Sequence, residues 1–134
     1  MIYGIGHDVL EIERISILIN RGQGTKFIRR VLTEREHQLA ERRSGKQAEF
    51  VAGRFAAKEA VVKALGCGIG RAVGFLDIEI LPDKLGKPEV VLLGEAWERL
   101  NMPEGREYTI HLTITHGRDL ASAFAVVEQV TSIA

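Results

Sequence analysis

The spacing of apolar residues changes character along the chain, and each change marks an element. Ile2, Ile5, Val9 and Leu10 give residues 1–10 the look of a strand, with Gly4 and Gly6 allowing another backbone or a ligand to come close. Residues 11–21 place Ile12, Ile15, Leu18 and Ile19 at helical spacing, and Gly22 and Gly24 end that element. A short helix is expected from Phe27 to Leu32. Thr33 then caps another, with Glu36 three positions on completing a capping-box pattern. The longest helix is expected over 46–65, rich in alanine and stopped by Gly66, Gly68 and Gly70.

Beyond that point the pattern turns strand-like. Runs at 75–81 and 89–93 flank a turn-forming stretch, Pro82 to Pro88, and a short helix is expected over 94–102 before Pro103. Residues 107–115 and 120–128 read as a hairpin turning at His116-Gly117-Arg118-Asp119. Helices mainly in the first half and a mostly antiparallel sheet in the second predict an α+β fold, one compact domain over residues 1–134.

Composition narrows the class. An apolar share of 46% and a charged share of 27% suit a soluble globular chain with one core. The N-terminus lacks a basic lead, and His7 and Asp8 interrupt its apolar run, so neither a signal peptide nor a membrane span is expected. A single cysteine, Cys67, excludes an intrachain disulfide framework and suits a reducing, cytoplasmic setting. A formal net charge of zero argues against nucleic acid as a partner. The charge is uneven, however. Arg14, Arg21, Lys26, Arg29 and Arg30 fall between positions 14 and 32 with no acid among them, which suits either an acidic partner or a plain solvated face.

Candidate chemistry concentrates in Arg54-Phe55-Ala56-Ala57-Lys58-Glu59-Ala60, with Lys63 following. On a helix Glu59 and Lys63 lie within about 40° of each other. Ala52 and Ala56 share their strip, which leaves room for a ligand, while Arg54 and Lys58 point elsewhere. The plainer reading is a surface i,i+4 pair worth about 0.3–0.5 kcal/mol. Asp8 ends a glycine-bearing apolar strand, where a carboxylate is costly unless solvated, hydrogen-bonded or bound to a cation; a strand-end or helix-capping role is the alternative. Two carboxylates with phosphate oxygens would form an oxygen-only set suited to Mg²⁺. His116 follows a β-rich run and could meet a phosphate, or simply be exposed. Gly66 to Arg71 is glycine-rich but follows a helix, so it matches no P-loop; its amides and Arg71 could approach a phosphate.

Gly4-Ile5-Gly6-His7-Asp8, the Arg54–Ala60 segment with Lys63, and Thr113-Ile114-Thr115-His116 together resemble the bacterial holo-acyl-carrier-protein synthases, the short phosphopantetheinyl transferases. The likeness extends through Gly66–Arg71, Asp77–Ile80 and Gly86-Lys87-Pro88. It implies transfer of 4′-phosphopantetheine from coenzyme A to a serine of an acyl carrier protein, for fatty acid biosynthesis. It implies Mg²⁺ on Asp8 and Glu59, Lys63 beside the phosphates, and His116 at the nucleotide, with Arg54, Gly66 and Lys87 as further contributors to coenzyme A binding. Arg14 and Arg21 would dock the carrier. The family is homotrimeric with active sites between protomers, so His116 is expected to serve a neighbouring chain. Phe55 stands where some members carry tryptophan, and His7 precedes Asp8 where the family varies. Glu59, directly or by way of a water, is the expected base. Two rivals remain: a transferase for carrier domains of secondary pathways, and a silent oligomeric module that binds a nucleotide or an acidic partner.

Overall fold

The computed structural model describes residues 1–43, 45–102 and 107–130. Strand β1 (Ile2–Glu11) leads directly into α1 (Ile12–Asn20), followed by α2 (Gly24–Val31), α3 (Glu34–Glu41) and the long α4 (Gln47–Leu65). A 3-10 turn (Phe75–Asp77) precedes β2 (Ile78–Pro82) and β3 (Pro88–Leu92); then come α5 (Ala96–Arg99), β4 (Tyr108–His116) and β5 (Leu120–Gln129). The α+β reading holds, and every strand pairing is antiparallel: one sheet runs β1-β5-β4, the other is the β2-β3 hairpin.

Some boundaries move. Gly24 opens α2 where the sequence reads it as a breaker, because it packs against Ile19; a Cβ there would lie 2.8 Å from the Ile19 Cα. The apolar run at 75–81 begins as the 3-10 turn, with Asp77 accepting the Gly74 N–H at 2.8 Å, so the strand starts only at Ile78. Helix α5 is four residues long, well inside the expected 94–102, and Pro103 lies outside the described residues. The capping box at Thr33 and Glu36 forms as read, each side chain meeting the other's backbone N–H.

Helix α4 lies across the inner face of the three-stranded sheet, and alternation along each strand decides what meets it. On β5, Ala121, Ala123, Ala125 and Val127 are buried; on β1, Gly6 and Leu10 are. Small residues on both sides let helix and sheet approach closely. The closest approach is at β1: a Cβ on Gly4 would sit 2.0 Å from the Ala64 carbonyl oxygen, and one on Gly6 the same distance from the Ala60 oxygen. The expected backbone approach at these glycines is thus to α4 itself. Near its other end α4 passes over β4, where Gly53 faces Ile114 and His116. On the outer face of the sheet, Ile5 (60% exposed), Val9 (50%) and Phe124 (42%) stand uncovered within the chain.

Candidate active site

Asp8 reaches its place by the period of two. It follows Gly4 and Gly6 on the inward face of β1, at the level where α4 presents Glu59 and Lys63. Lys63 Nζ donates to Asp8 Oδ1 and to the His7 carbonyl oxygen, both at 3.0 Å. The glycines are the local cause. With α4 seated on bare backbone at Ala60 and Ala64, the next inward residue of β1 falls beside the next turn of the helix.

Glu59 completes a group of three. Its carboxyl is pushed above the usual glutamate range, first by partial burial and then by the Asp8 charge, with Lys63 acting in the opposite sense. A carboxylate so placed is a better proton acceptor at neutral pH than an ordinary glutamate. The Asp8 charge bearing on Glu59 also marks a place that a divalent cation would relieve. Among the described residues no group of three or more His, Cys, Asp and Glu side chains gathers. A pair of carboxylates fits Mg²⁺, which keeps waters and shares substrate phosphate oxygens, better than it fits a cation needing a full protein cage.

The alanine strip is a correction. Ala52 and Ala56 are fully buried, so they leave no room for a ligand; their smallness serves the approach of α4 to the sheet. Only the stretch of that strip near Glu59 and Lys63 reaches solvent.

The remaining expected residues lie apart within this chain. His116 sits over Gly53, with Nδ1 2.7 Å from Glu49 Oε1, and Glu49 is ten positions, or about 15 Å, along α4 from Glu59. Arg54 turns toward α3: its guanidinium lies over the Phe50 ring at 4.5 Å, its Nε is buried without a partner, and burial pushes its pKa down against the opposing charge of Glu36. Gly66 ends α4 with φ +83°, and its N–H closes the helix on the Lys63 carbonyl at 3.1 Å. It therefore enters as the turn after Lys63, and its amide is already engaged. The amides of Cys67 and Gly70 are likewise taken, by Val62 and Val73. Lys87 belongs to the β2-β3 turn, where its N–H donates to Asp83 at 2.9 Å, and it lines a groove with Trp97, Tyr108 and His111. Arg14 and Arg21 are both exposed, on α1 and at its C-cap, with Lys26, Arg29 and Arg30 exposed on α2. Burial raises the Cys67 thiol, which accords with no nucleophilic role there.

The residue missed by sequence reasoning is Lys58, a neighbour of Glu59. It is fully buried, donates to Glu36 Oε1 and the Val31 carbonyl at 2.6 Å and to the Phe75 carbonyl at 3.0 Å. The signal was present: Lys58 lies on a buried side of α4, and Glu36 is a capping residue with a second oxygen to place.

The geometry has known counterparts. The sequence profile of the 4′-phosphopantetheinyl transferase superfamily matches residues 4–121. The holo-[acyl-carrier-protein] synthase of Geobacillus kaustophilus is 48% identical over 130 residues, covering 96% of this chain and 91% of that protein. That of Magnetococcus marinus is 44% identical over 129 residues, covering 96% and 94%. The crystal structure of the Bacillus anthracis synthase in complex with CoA (3′,5′-ADP) superposes with a TM-score of 0.80 at 42% identity, covering 96% of this chain and 98% of that one.

Proposed function

The chain belongs to the 4′-phosphopantetheinyl transferase superfamily, and from that we propose that it moves the phosphopantetheine arm of coenzyme A to a serine of an apo acyl carrier protein, releasing 3′,5′-ADP. The observation that carries the reading is the convergence of Asp8 from β1 with Glu59 and Lys63 from α4. Relatives of near-equal length bear the synthase name, and a related structure holds the coenzyme.

The serine oxygen attacks the phosphorus next to the pantetheine arm. A P–O bond forms there, the P–O bond to 3′,5′-ADP breaks, and its electron pair leaves with the nucleotide. Glu59 takes the serine proton, a role its raised pKa favours. Lys63, a half-exposed cation held level with Asp8, meets the phosphate that departs with the added charge. Asp8 and Glu59 would together hold Mg²⁺, which supplies Lewis-acid neutralisation of phosphate charge when bound. Positioning and charge do the catalytic work, since phosphoryl-type transfer leaves the protein little covalent chemistry.

The assembly reading is a homotrimer with the site between protomers. Two observations support it: the uncovered apolar face of Ile5, Val9 and Phe124, and the placement of His116 at the far end of α4 from Glu59. His116, Arg54 and Lys87 would then meet the coenzyme across a subunit boundary. The exposed Arg14 and Arg21 would dock an acidic carrier. We read 1–134 as one domain, because its buried apolar residues from Leu10 to Val127 form one core. Among the described residues no helix is long and apolar enough to cross a membrane, and we place the activity in the cytoplasm and in fatty acid synthesis.

Intact mass spectrometry of an apo carrier after incubation with coenzyme A and magnesium tests the reading. One added phosphopantetheine arm, lost on chelation, is the expected result. An unchanged mass on a carrier that another transferase modifies would overturn it.

A further inference from the structure

Helix α4 is buried on nearly all sides. Val51 and Ala52 are fully buried, and so are the three consecutive residues Ala56, Ala57 and Lys58, at 100° steps around the axis. The open strip of Glu59 and Lys63 and the larger buried side chains Phe50 and Leu65 set the rotation of the helix broadly, while the alanines between them leave a finer turn about the axis weakly specified. Gly4 and Gly6 seat Ala64 and Ala60 on β1, and a second contact on the far side of α4 would hold that turn in place.

We propose that the buried Lys58–Glu36 pair fixes the rotation of α4 and thereby aims Glu59 at Asp8. Lys58 and Glu36 are both fully buried, and the lysine has three partners: Glu36 Oε1, the Val31 carbonyl at the end of α2, and the Phe75 carbonyl in the 3-10 turn. Glu36 is held in turn by the Thr33 N–H at 2.8 Å and the Ile80 N–H at 2.9 Å. A buried ammonium has one acceptable orientation, the one in which all of its donors are met. A turn of α4 breaks that set, so the pair holds finely a rotation that apolar packing sets only broadly, a role for which buried polar groups are best attested. Glu59 is the next residue, 100° around the helix, and its direction is set together with that of Lys58. Lys58 and Glu36 are positioning residues, since neither reaches the open strip that carries Glu59 and Lys63.

The inference rests on Glu59 as the base of the proposed transfer. Its test is Lys58→Met, in which the methionine keeps most of the apolar stem and Glu36 keeps the Thr33 and Ile80 N–H donors. In the folded variant kcat should fall about tenfold or more while KM for coenzyme A moves by less than about threefold, as expected of a small misplacement at the reacting centre. A crystal structure of the variant should show the Asp8 and Glu59 carboxyls at an altered separation. Should Lys58→Met fail to accumulate folded, Glu36→Gln, which keeps the volume and one acceptor, is read by the same two measurements. Wild-type kcat in the folded variant, or an unmoved Glu59, overturns the proposal. A wild-type protein that modifies no carrier instead overturns the transferase reading, and the displacement of Glu59 in the variant crystals then decides the positioning claim without any turnover.

Discussion

Lys63 and Asp8, 55 positions apart in the chain, meet at 3.0 Å because two glycines bring α4 down onto the backbone of β1. The lysine pairs with Asp8 and also draws down the Glu59 carboxyl that burial and the Asp8 charge push up. Removing it should therefore alter two groups at once. Lys63→Met is expected to lower kcat by about 10²–10³-fold, the usual cost of losing a positioned charge donor. Initial rates at saturating coenzyme A and carrier check this; a loss under about threefold would remove Lys63 from the leaving-group role.

Glu59→Gln should abolish most turnover while the fold persists. Its effect on stability has a definite sign. Glu59 has a folded pKa above its unfolded one, so its contribution to stability is fully present below the unfolded pKa and lost as pH rises through the folded value. In metal-free protein at neutral pH, the glutamine variant should thus melt above wild type. The gap should close as the pH falls below the ordinary glutamate range. Thermal scans at several pH values with chelator present measure it, and a gap that widens toward acid would contradict the assignment.

Gly6→Ala should be among the most damaging single-methyl changes in the chain. The added carbon would lie 2.0 Å from the Ala60 carbonyl oxygen and 2.8 Å from the Ala64 nitrogen, both backbone atoms that cannot swing aside. Overpacking of this kind costs about 1–3 kcal/mol and occasionally more. Chemical denaturation should show that loss, and activity should fall with it, since the same contact brings Asp8 level with Glu59.

Arg14 and Arg21 make no described salt bridge and stand exposed on and just after α1. Replacing both with alanine should raise KM for the carrier while leaving KM for coenzyme A unchanged. The wild-type carrier KM should climb with salt more steeply than that of the variant, because exposed charges are screened. Parallel titrations at two ionic strengths decide it.

The sequence makes most of this legible, with instructive exceptions. Glycine at 4 and 6 signals a close neighbour, and Glu59 and Lys63 share a helical strip, so the three residues that the fold brings together are nameable from spacing and resemblance. The alanines at 52 and 56 misled, because a small residue signals closeness without saying whether a ligand or the protein's own sheet comes close. Glu36 was legible as a capping residue, but its bond to Lys58 joins positions 22 apart and depends on how α3 and α4 cross. Such a contact has no period to betray it. His116 was found as a residue, yet its distance from Glu59 follows from the diagonal path of α4 over the sheet, which a one-dimensional pattern does not record.

Lys58 and Lys63 sit five residues apart on one helix and differ almost completely in what can reach them: the first is sealed from solvent, the second half open to it. Any small electrophile that acylates amines will find Lys63 and pass Lys58 by. The open strip can thus be tagged chemically at its rim without loosening the frame beneath, so that a modified chain keeps its core while losing the charge that stands beside Asp8.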